Sequence, residues 1–345
     1  MIDKVPIIFI HRGYSNYMEY SLRQAVATNP DNEVILLGSD CELSIDGITF
    51  VEQAACESNE LNDFRKNYIH MSYQPLEFEK FCFERWFLIA EFMHKRNIKK
   101  AFVMDTDVMI FADMNLVSDK IPDGVVCALS YTQRDDDGNY GIRHSSGHSS
   151  YWTLEGILRF VNFLKLLYHK QELLNILKNK WAVYSKSNIY GGVTDMDSLG
   201  LFRDKFLKAG EFMNTNIMAD CGGIFDNALG LSDGKIENHY VINGFTKKLE
   251  WRDEMPYCRE LASGNMKRFY TLHCQGRFKS FIPVFYSGPD FTEKQAMDRA
   301  FRYQKILFLT ERFFRSNIKK YMMAAAPKLF YFIRQKIMKN TLKVL

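Results

Sequence analysis

The sequence predicts an α/β fold with a mostly parallel central sheet flanked by helices, followed by a helical C-terminal tail. Short apolar runs, typical of strands buried on both faces, alternate with longer stretches of helical composition. A strand, a helix and a second strand follow one another within residues 6–37, which is the order of a βαβ unit. With 345 residues, 47% of them hydrophobic, the chain can bury a large core.

The individual elements follow from apolar runs and from the turns that end them. The first strand is predicted over Pro6–Ile10 and ends at the polar turn His11–Tyr14. Further strands are predicted over Glu33–Leu37, Ala101–Met104 and Val125–Leu129. Helices are predicted over Ser15–Ala27, 76–96, 153–180 and from Glu293 to the end, with an interruption at Pro327. Residues 131–150 are polar and glycine-rich and are predicted to form a loop, and 215–285 to form short strands and loops.

The charge distribution predicts two parts, a compact domain over 1–290 and a basic amphipathic tail over 291–345. From Arg299 onward there are 12 Lys or Arg residues and one acid, a net charge of +11, while the whole chain carries +4 and its first 298 residues therefore −7. Apolar and basic residues of the tail fall on opposite sides at 100° per residue, as in helices that lie on anionic membranes. The alternative is a helix that packs on the main domain. No nucleic-acid-binding motif accompanies the charge, so we expect no nucleic-acid partner.

The cysteines and the apolar runs indicate the compartment. The seven cysteines are odd in number and none has CxxC spacing, which favours a reducing compartment over a disulfide framework or a structural zinc site. The sequence shows neither a signal-peptide pattern nor an apolar run of about 18 residues. The expectation is a cytoplasmic protein, with peripheral association at the inner face of the membrane through its tail.

An acidic pair, Asp105 and Asp107, follows the predicted strand Ala101–Met104. Open parallel sheets bind ligands at the carboxyl ends of their strands. Two carboxylates one residue apart can face one cation, and their hard oxygens suit Mg²⁺ or Mn²⁺, which also hold substrate phosphates. The alternative is that Asp105 caps a turn and Asp107 is solvated.

A second polar segment, with His273, Gly276 and Lys279, lies far downstream. A neutral imidazole can supply a third metal ligand. A glycine lets the backbone approach a phosphate closely, and a lysine adds positive charge beside a diphosphate. Taken alone, this segment is described as well or better by a buried histidine followed by a turn and a surface lysine.

Together, these motifs resemble those of the retaining, GT-A-fold glycosyltransferases of the glycogenin and lipopolysaccharide-galactosyltransferase type. The resemblance rests on the strand-ending DxD pair, on the late HxxGxxK pattern and on the segment Asp195-Met196-Asp197-Ser198-Leu199, which is similar to the family's DQDxLN. The chain departs from the family at several positions: Met196 replaces Gln, Gly200 replaces Asn, Phe83 stands where Tyr is usual, and Ser280-Phe281 replaces Pro-Trp.

The resemblance implies a Rossmann-like nucleotide-sugar-binding fold and metal-dependent transfer of a hexose from a UDP-sugar to a glycan or lipid-linked saccharide, with retention of configuration. It places Mn²⁺ or Mg²⁺ on Asp105, Asp107 and His273. It implies that Asp195 and Asp197 act on the reacting sugar or on the acceptor hydroxyl. Nucleotide binding is implied for His11, Tyr14, Arg85, Gly276 and Lys279, although His11 and Tyr14 fit a surface turn equally well.

Three alternatives remain open at this stage. The departures at Met196 and Ser280-Phe281 favour a non-catalytic sugar-nucleotide-binding or membrane-scaffold protein with a degenerate site, whereas the predicted metal ligands argue against it. A nucleotidyltransferase would favour a glycine-rich loop after the first strand, where only Gly13 is present. The set His144, His148, Tyr151 and Trp152 is interpreted either as an acceptor site or as a packing patch.

Overall fold

The computed structural model describes residues 4–41, 43–131, 142–187, 190–217, 222–230, 239–244 and 246–291, together with Lys294 and Asp298. By its internal contacts the chain divides into two units, residues 1–289 and 290–345. Apart from Lys294 and Asp298, the helix predicted from Glu293 onward, with the basic arc predicted to bind a membrane, lies outside the described residues. So does the run Asp135–Asp137 of the predicted loop.

The described part of the chain contains β-strands, α-helices and short 3₁₀ turns. The strands are β1 (Ile7–Arg12), β2 (Val34–Ser39), β3 (Ile48–Glu52), β4 (Lys100–Asp105), β5 (Val108–Ile110), β6 (Cys127–Tyr131), β7 (Ser145–Thr153), β8 (Phe212–Asn214), β9 (Ile224–Phe225), β10 (Ile242–Asn243), β11 (Thr246–Lys247), β12 (Leu249–Arg252), β13 (Met255–Arg259) and β14 (Met266–His273). The helices are α1 (Tyr17–Thr28), α2 (Asn59–Asn67), α3 (Leu76–Lys95), α4 (Met114–Ser118), α5 (Leu154–His169), α6 (Gln171–Lys186), α7 (Asp195–Phe206) and α8 (Ile282–Phe285).

The central sheet has seven strands in the order β3-β2-β1-β4-β7-β6-β8. Strand β7 runs antiparallel to both of its neighbours, and the other strands run in one direction. Helices flank this sheet, so the predicted α/β fold with a mostly parallel central sheet is confirmed. Ile10 of β1 lies beside Asp105 of β4 in the register, which brings the ends of these two strands to the same edge.

Aromatic packing fixes the helix α3 on the sheet. Trp86 of α3 is fully buried and lies with its ring 5.4 Å from that of Trp152 on β7 and 5.5 Å from that of Phe160 on α5. Burial of side chains of this size contributes on the order of 2–3 kcal/mol each. Arg85, the neighbour of Trp86 in the chain, is therefore carried by a helix that is rigidly packed.

The prediction of a loop over 131–150 is wrong in its second half, where β7 begins at Ser145. This strand lies between β4 and β6 although its residues are mostly small and polar. Its hydroxyls are satisfied locally, because Ser150 donates to the carbonyl of Gly147 at 3.0 Å and accepts from the indole of Trp152 at 3.0 Å. Small hydroxyl residues can therefore fill a buried strand without unpaired polar atoms. The polar composition concealed the strand.

A second sheet joins the acidic pair to the late polar segment. Strand β5 begins directly after Asp107 and pairs antiparallel with β14, so that Val108 lies opposite His273. Strand β14 also pairs with β13 and with β9. Residues 166 positions apart in sequence are thus neighbours because two short strands are paired.

Two smaller findings concern helix length and the cysteines. No helix of the described residues is long and apolar enough to cross a membrane. The cysteines within the described ranges are free.

We expect the substitution Gly200→Ala to destabilise the fold. A Cβ atom at this position of α7 would lie 1.8 Å from the carbonyl oxygen of Arg143, which is backbone and cannot rotate away. The clash should cost about 1–3 kcal/mol or more, and so outweigh the gain of about 1 kcal/mol in helix propensity. Urea denaturation would measure the loss. Ser198→Ala is the matched control on the same helix, because the buried hydroxyl of Ser198 has no hydrogen-bond partner in the described part of the chain. A midpoint for Gly200→Ala equal to that of the wild type would contradict the close approach.

Candidate active site

The acidic pair lies in the short turn that connects the two sheets, since β4 ends at Asp105 and β5 begins at Val108. Asp107 is nearly buried and faces two groups of the late polar segment. Its Oδ1 lies 3.5 Å from Nε2 of His273, and its Oδ2 lies 3.3 Å from Nζ of Lys279. The backbone N–H of Cys274 donates to the carbonyl of Asp107 at 2.9 Å. The structure thus brings the two predicted motifs together.

Arg85 joins the acidic pair to the third predicted motif. Its Nη1 donates to Oδ1 of Asp105 at 2.5 Å, and its Nη2 donates to Oδ2 of Asp195 at 2.7 Å. The indole N–H of Trp86 donates to the same oxygen of Asp195 at 3.1 Å. Asp195 is also the first residue of α7, where the helix dipole favours a negative charge. One guanidinium therefore holds two carboxylates from different elements.

The imidazole of His273 is fixed from three sides. Its Nδ1 donates to the carbonyl of Asn227 at 2.7 Å, and its ring stacks on that of His148 with centroids 3.9 Å apart. Its backbone N–H donates to Oδ2 of Asp226 at 3.1 Å, and Asp226 in turn forms a buried ion pair with Lys247 at 2.8 Å. Burial by itself would lower the pKa of His273, but the carboxylate of Asp107 raises it above its ordinary value.

The side chains around Asp107 meet some of the requirements of a divalent-cation site. Oδ1 of Asp107 is buried and has no hydrogen-bond partner among the described residues, with Nε2 of His273 3.5 Å away, so a bound cation would satisfy this oxygen. His273 donates its Nδ1–H to a carbonyl, as metal-bound histidines usually do, and so directs Nε2 toward Asp107. Asp105 is engaged by Arg85, and no group of three His, Cys, Asp or Glu side chains within the described ranges is arranged to hold a metal ion. The three-ligand site stays a prediction.

Two of the residues predicted to bind nucleotide, His11 and Lys279, lie on the other side of Asp107 from the cleft, whereas Arg85 contacts Asp105 and Asp195. His11 lies near the end of β1, with Nδ1 2.9 Å from Oγ1 of Thr106. Burial and the charge of Lys279 lower the pKa of His11 to about 4, so its ring is neutral at neutral pH. Nζ of Lys279 lies 3.3 Å from the hydroxyl of Tyr17 and 4.7 Å from its ring centre, a contact that the sequence did not indicate.

Tyr14 and Gly276 occupy more open positions. The Tyr14 side chain is about half exposed and its hydroxyl donates to Glu19 at 3.2 Å. Gly276 begins a 3₁₀ turn, has a φ of +56°, and would have no atom within 4 Å of an added Cβ. The open space in front of this backbone is what the predicted approach of a phosphate requires.

A cleft of about 430 Å³ opens beside these groups. Of the predicted residues, Arg85, Asp105, Asp195 and His273 line it, whereas His11 and Lys279 do not. Residues that the sequence did not single out also line it: Gln74, Phe78, Glu79, Cys82 and Lys247. Such a concave site with a few convergent polar groups is the usual form of a small-molecule binding site.

The two acids of the Asp195–Asp197 segment have different surroundings. Asp195 lines the cleft, but Asp197 is fully buried and both of its oxygens are engaged. Oδ1 lies 2.6 Å from Nζ of Lys180 and 2.7 Å from Nε2 of His144, and Oδ2 accepts the backbone N–H of Thr194 at 2.8 Å. These contacts give Asp197 a part in packing and helix capping, and its catalytic role stays a prediction. Of the two acids, Asp195 is the one that lines the cleft.

The four residues His144, His148, Tyr151 and Trp152, in or directly before β7, also divide between the core and the cleft. Tyr151 and Trp152 are buried in the core, as the packing interpretation predicts. His148 is buried against His273, donates Nε2–H to the carbonyl of Asp226 at 2.9 Å, and still borders the cleft. His144 also borders the cleft while it contacts Asp197.

The chain shows similarity to known proteins at the level of structure. No protein-family model and no curated protein sequence matches it. Among solved structures it is similar to the apo form of mouse xyloside xylosyltransferase 1, with 10% identity, a TM-score of 0.37, and coverage of 61% of this chain and 84% of that chain. It is similar to an active-site mutant of LgtC, with 14% identity, a TM-score of 0.37 and coverage of 61% and 73%. It is also similar to the bifunctional glycosyltransferase WbbM, with 11% identity, a TM-score of 0.37 and coverage of 62% and 39%.

The matched structures named here are glycosyltransferases, the class that the sequence resemblance names. None of these identities exceeds 14%, so the activity of this chain has to be argued from its own site.

Proposed function

We propose that this chain is a glycosyltransferase that moves a hexose from a UDP-sugar to a glycan or a lipid-linked saccharide, with Mn²⁺ or Mg²⁺ as cofactor. The observation that carries the proposal is the convergence of Asp107, His273 and Lys279 at the turn after β4, beside a cleft that also exposes Asp195. Carboxylate, imidazole and ammonium groups in this arrangement suit a metal-bound diphosphate.

Binding of the donor is divided between two sides of Asp107. On one side, Lys279 supplies positive charge for the diphosphate, and the neutral ring of His11 and the half-exposed ring of Tyr14 suit the nucleoside. On the other side, the cleft receives the sugar. Asp105, Asp107 and His273 would hold the metal, which when bound neutralises charge on the leaving diphosphate.

Transfer itself needs positioning and charge stabilisation from the protein. The bond between the anomeric carbon and the phosphate oxygen breaks, a bond to the acceptor oxygen forms on the same face, and the acceptor proton passes to the leaving phosphate. Asp195 is held by Arg85 and Trp86. Its carboxylate would stabilise positive charge on the sugar ring. Asp197 supports Asp195 indirectly, because it caps the same helix. Retention predicts an α-linked product from an α-linked donor, which NMR of the product linkage would test.

The test of the proposed function is UDP binding by calorimetry, with and without Mn²⁺, followed by UDP release from UDP-glucose and UDP-galactose. We expect metal-dependent binding and release for the wild type. Lys279→Ala should weaken UDP binding about tenfold or more, because a charge-assisted contact to phosphate is lost. Lys267→Ala, a change of the same charge on β14, is the control and should bind UDP as the wild type does.

The outcomes separate the alternatives. A chain that binds UDP with Mn²⁺ but releases none from either sugar nucleotide would favour the non-catalytic sugar-nucleotide-binding protein. A chain that binds no UDP would contradict the donor class.

A further inference from the structure

Glu79 is a buried carboxyl that lines the cleft and has no role in the scheme above. It lies in the first turns of α3, where Phe78, Cys82 and Arg85 border the same cleft at helical spacing. Glu79 and Arg85 are six positions apart in sequence, which corresponds to about 9 Å along the helix axis. The two side chains therefore start from separate positions along the cleft.

Only one oxygen of Glu79 has a hydrogen-bond partner among the described residues. The hydroxyl of Ser72 donates to Oε2 at 3.2 Å, and the other carboxyl oxygen accepts no hydrogen bond there. The backbone at Ser72 is held in place, because the N–H of Tyr73 donates to the carbonyl of Gly191 at 2.8 Å. This hydrogen bond joins the segment around Ser72 to the segment that leads into α7. Glu79 is 2% exposed and lines the cleft, so its second carboxyl oxygen can accept a hydrogen bond from a group bound there.

The electrostatic surroundings of Glu79 are mostly acidic. Burial and then the charge of Asp195 raise its pKa to about 7, while the hydroxyl of Ser72 opposes the rise. The other titratable groups that interact with it are Asp197, Lys180, Tyr68, Tyr168 and Cys82. Because the pKa is raised, Glu79 is a neutral acid below about pH 7 and a carboxylate above it.

The location favours a neutral, hydroxyl-bearing ligand over a phosphate. A diphosphate would be repelled by Glu79 and Asp195, and Lys279, the residue proposed to bind it, does not line the cleft. The ring of Phe78 is 58% exposed and offers a flat apolar face of the kind that packs on sugar C–H groups. A polyhydroxylated acceptor is uncharged and offers C–H faces that can pack on this ring.

We propose that the carboxylate of Glu79 accepts a hydrogen bond from a hydroxyl group of the acceptor and so orients that group in the cleft. This inference rests on the proposed glycosyltransferase function and names a further residue for it. Glu79 orients the hydroxyl and takes no proton from it, since the leaving phosphate receives the proton.

The experiment follows UDP release from UDP-glucose and UDP-galactose, with Mn²⁺ and with water as the smallest hydroxyl acceptor, from pH 6 to pH 9. In the wild type the rate should rise with pH through about 7 and then level off. Glu79→Gln should remove this rise and lower the rate at pH 8 about tenfold or more, while UDP binding by calorimetry stays within twofold. Ser72→Ala should move the midpoint of the wild-type rise to higher pH, because a hydrogen bond that favours the carboxylate is lost.

Glu77→Gln is the matched control, because Glu77 lies on the same helix, is largely exposed and does not line the cleft. It should retain the wild-type rate and pH profile. A Glu79→Gln protein with the wild-type profile would overturn the inference, and so would one that loses UDP binding in proportion to its rate. Failure of the wild type to bind UDP, or to release it from either sugar nucleotide, would overturn the proposed function and the inference with it.

Discussion

Asp107→Asn should reduce metal-dependent UDP release by about a thousandfold or more. The substitution keeps the shape of the side chain but replaces the carboxylate that faces His273 and Lys279 by a neutral amide. It removes a proposed metal ligand, and loss of a bound cation forfeits several kcal/mol of charge stabilisation in the transition state. Steady-state UDP release at saturating UDP-sugar, measured across a range of Mn²⁺ concentrations, would show the effect.

Asp119→Asn provides the control for this change. Asp119 follows α4, is exposed, and differs from Asp107 in having no part in the cluster around His273. Its substitution should leave UDP release unchanged. An Asp107→Asn protein that keeps its Mn²⁺ dependence and its rate would show that the acidic pair binds no catalytic cation.

Asp197→Ala should destabilise the fold by about 3–5 kcal/mol. It leaves the buried ammonium of Lys180 without its carboxylate partner, and an uncompensated buried charge is costly. It also removes the capping box at the start of α7. Urea denaturation at pH 7 would measure the loss. Burial by itself would raise the pKa of Asp197, but His144 and Lys180 lower it, so this stabilisation is present at neutral pH and decreases as the pH falls below about 4.

The double variant Lys180→Met with Asp197→Leu distinguishes packing from catalysis. Replacement of a whole buried ion pair by apolar side chains of similar size is often neutral, so the double variant should recover much of the stability that Asp197→Ala loses. UDP release should recover with it if Asp197 acts only through the position of α7. A stable double variant that remains inactive would instead assign Asp197 a direct part in transfer.

The sequence was sufficient to predict the framework because buried parallel strands have a strong signature. The runs that became β1, β2 and β4 are apolar throughout and end at polar turns. Strand β7 was missed for the opposite reason, since its buried positions are filled by Ser and Gly. The pairing of β5 with β14, which places His273 beside Asp107, joins distant segments and is not encoded in either one alone.

Asp105, Asp107, His273 and Lys279 were predicted as site residues because their motifs together resemble those of one family, and this role stays a prediction. Residues whose surroundings depend on tertiary packing were missed. Lys180 gave no signal, because a lysine on an amphipathic helix is normally solvated and only tertiary packing buries it against Asp197. The same explanation applies to Lys247, Asp226 and Glu79. Each of them is buried by tertiary packing, which the sequence alone does not show.

The guanidinium that bridges Asp105 and Asp195 makes the two ends of the site thermodynamically dependent on each other. The guanidinium of Arg85 has a fixed number of N–H donors, which it divides between the carboxylates of Asp105 and Asp195. A ligand that draws Asp105 away from Arg85 therefore changes the positive charge that acts on Asp195. Linkage is reciprocal: if occupancy beside Asp105 alters affinity beside Asp195, then a sugar bound beside Asp195 must alter affinity beside Asp105 by the same factor. Coupled binding of cation and donor would then follow from one shared side chain.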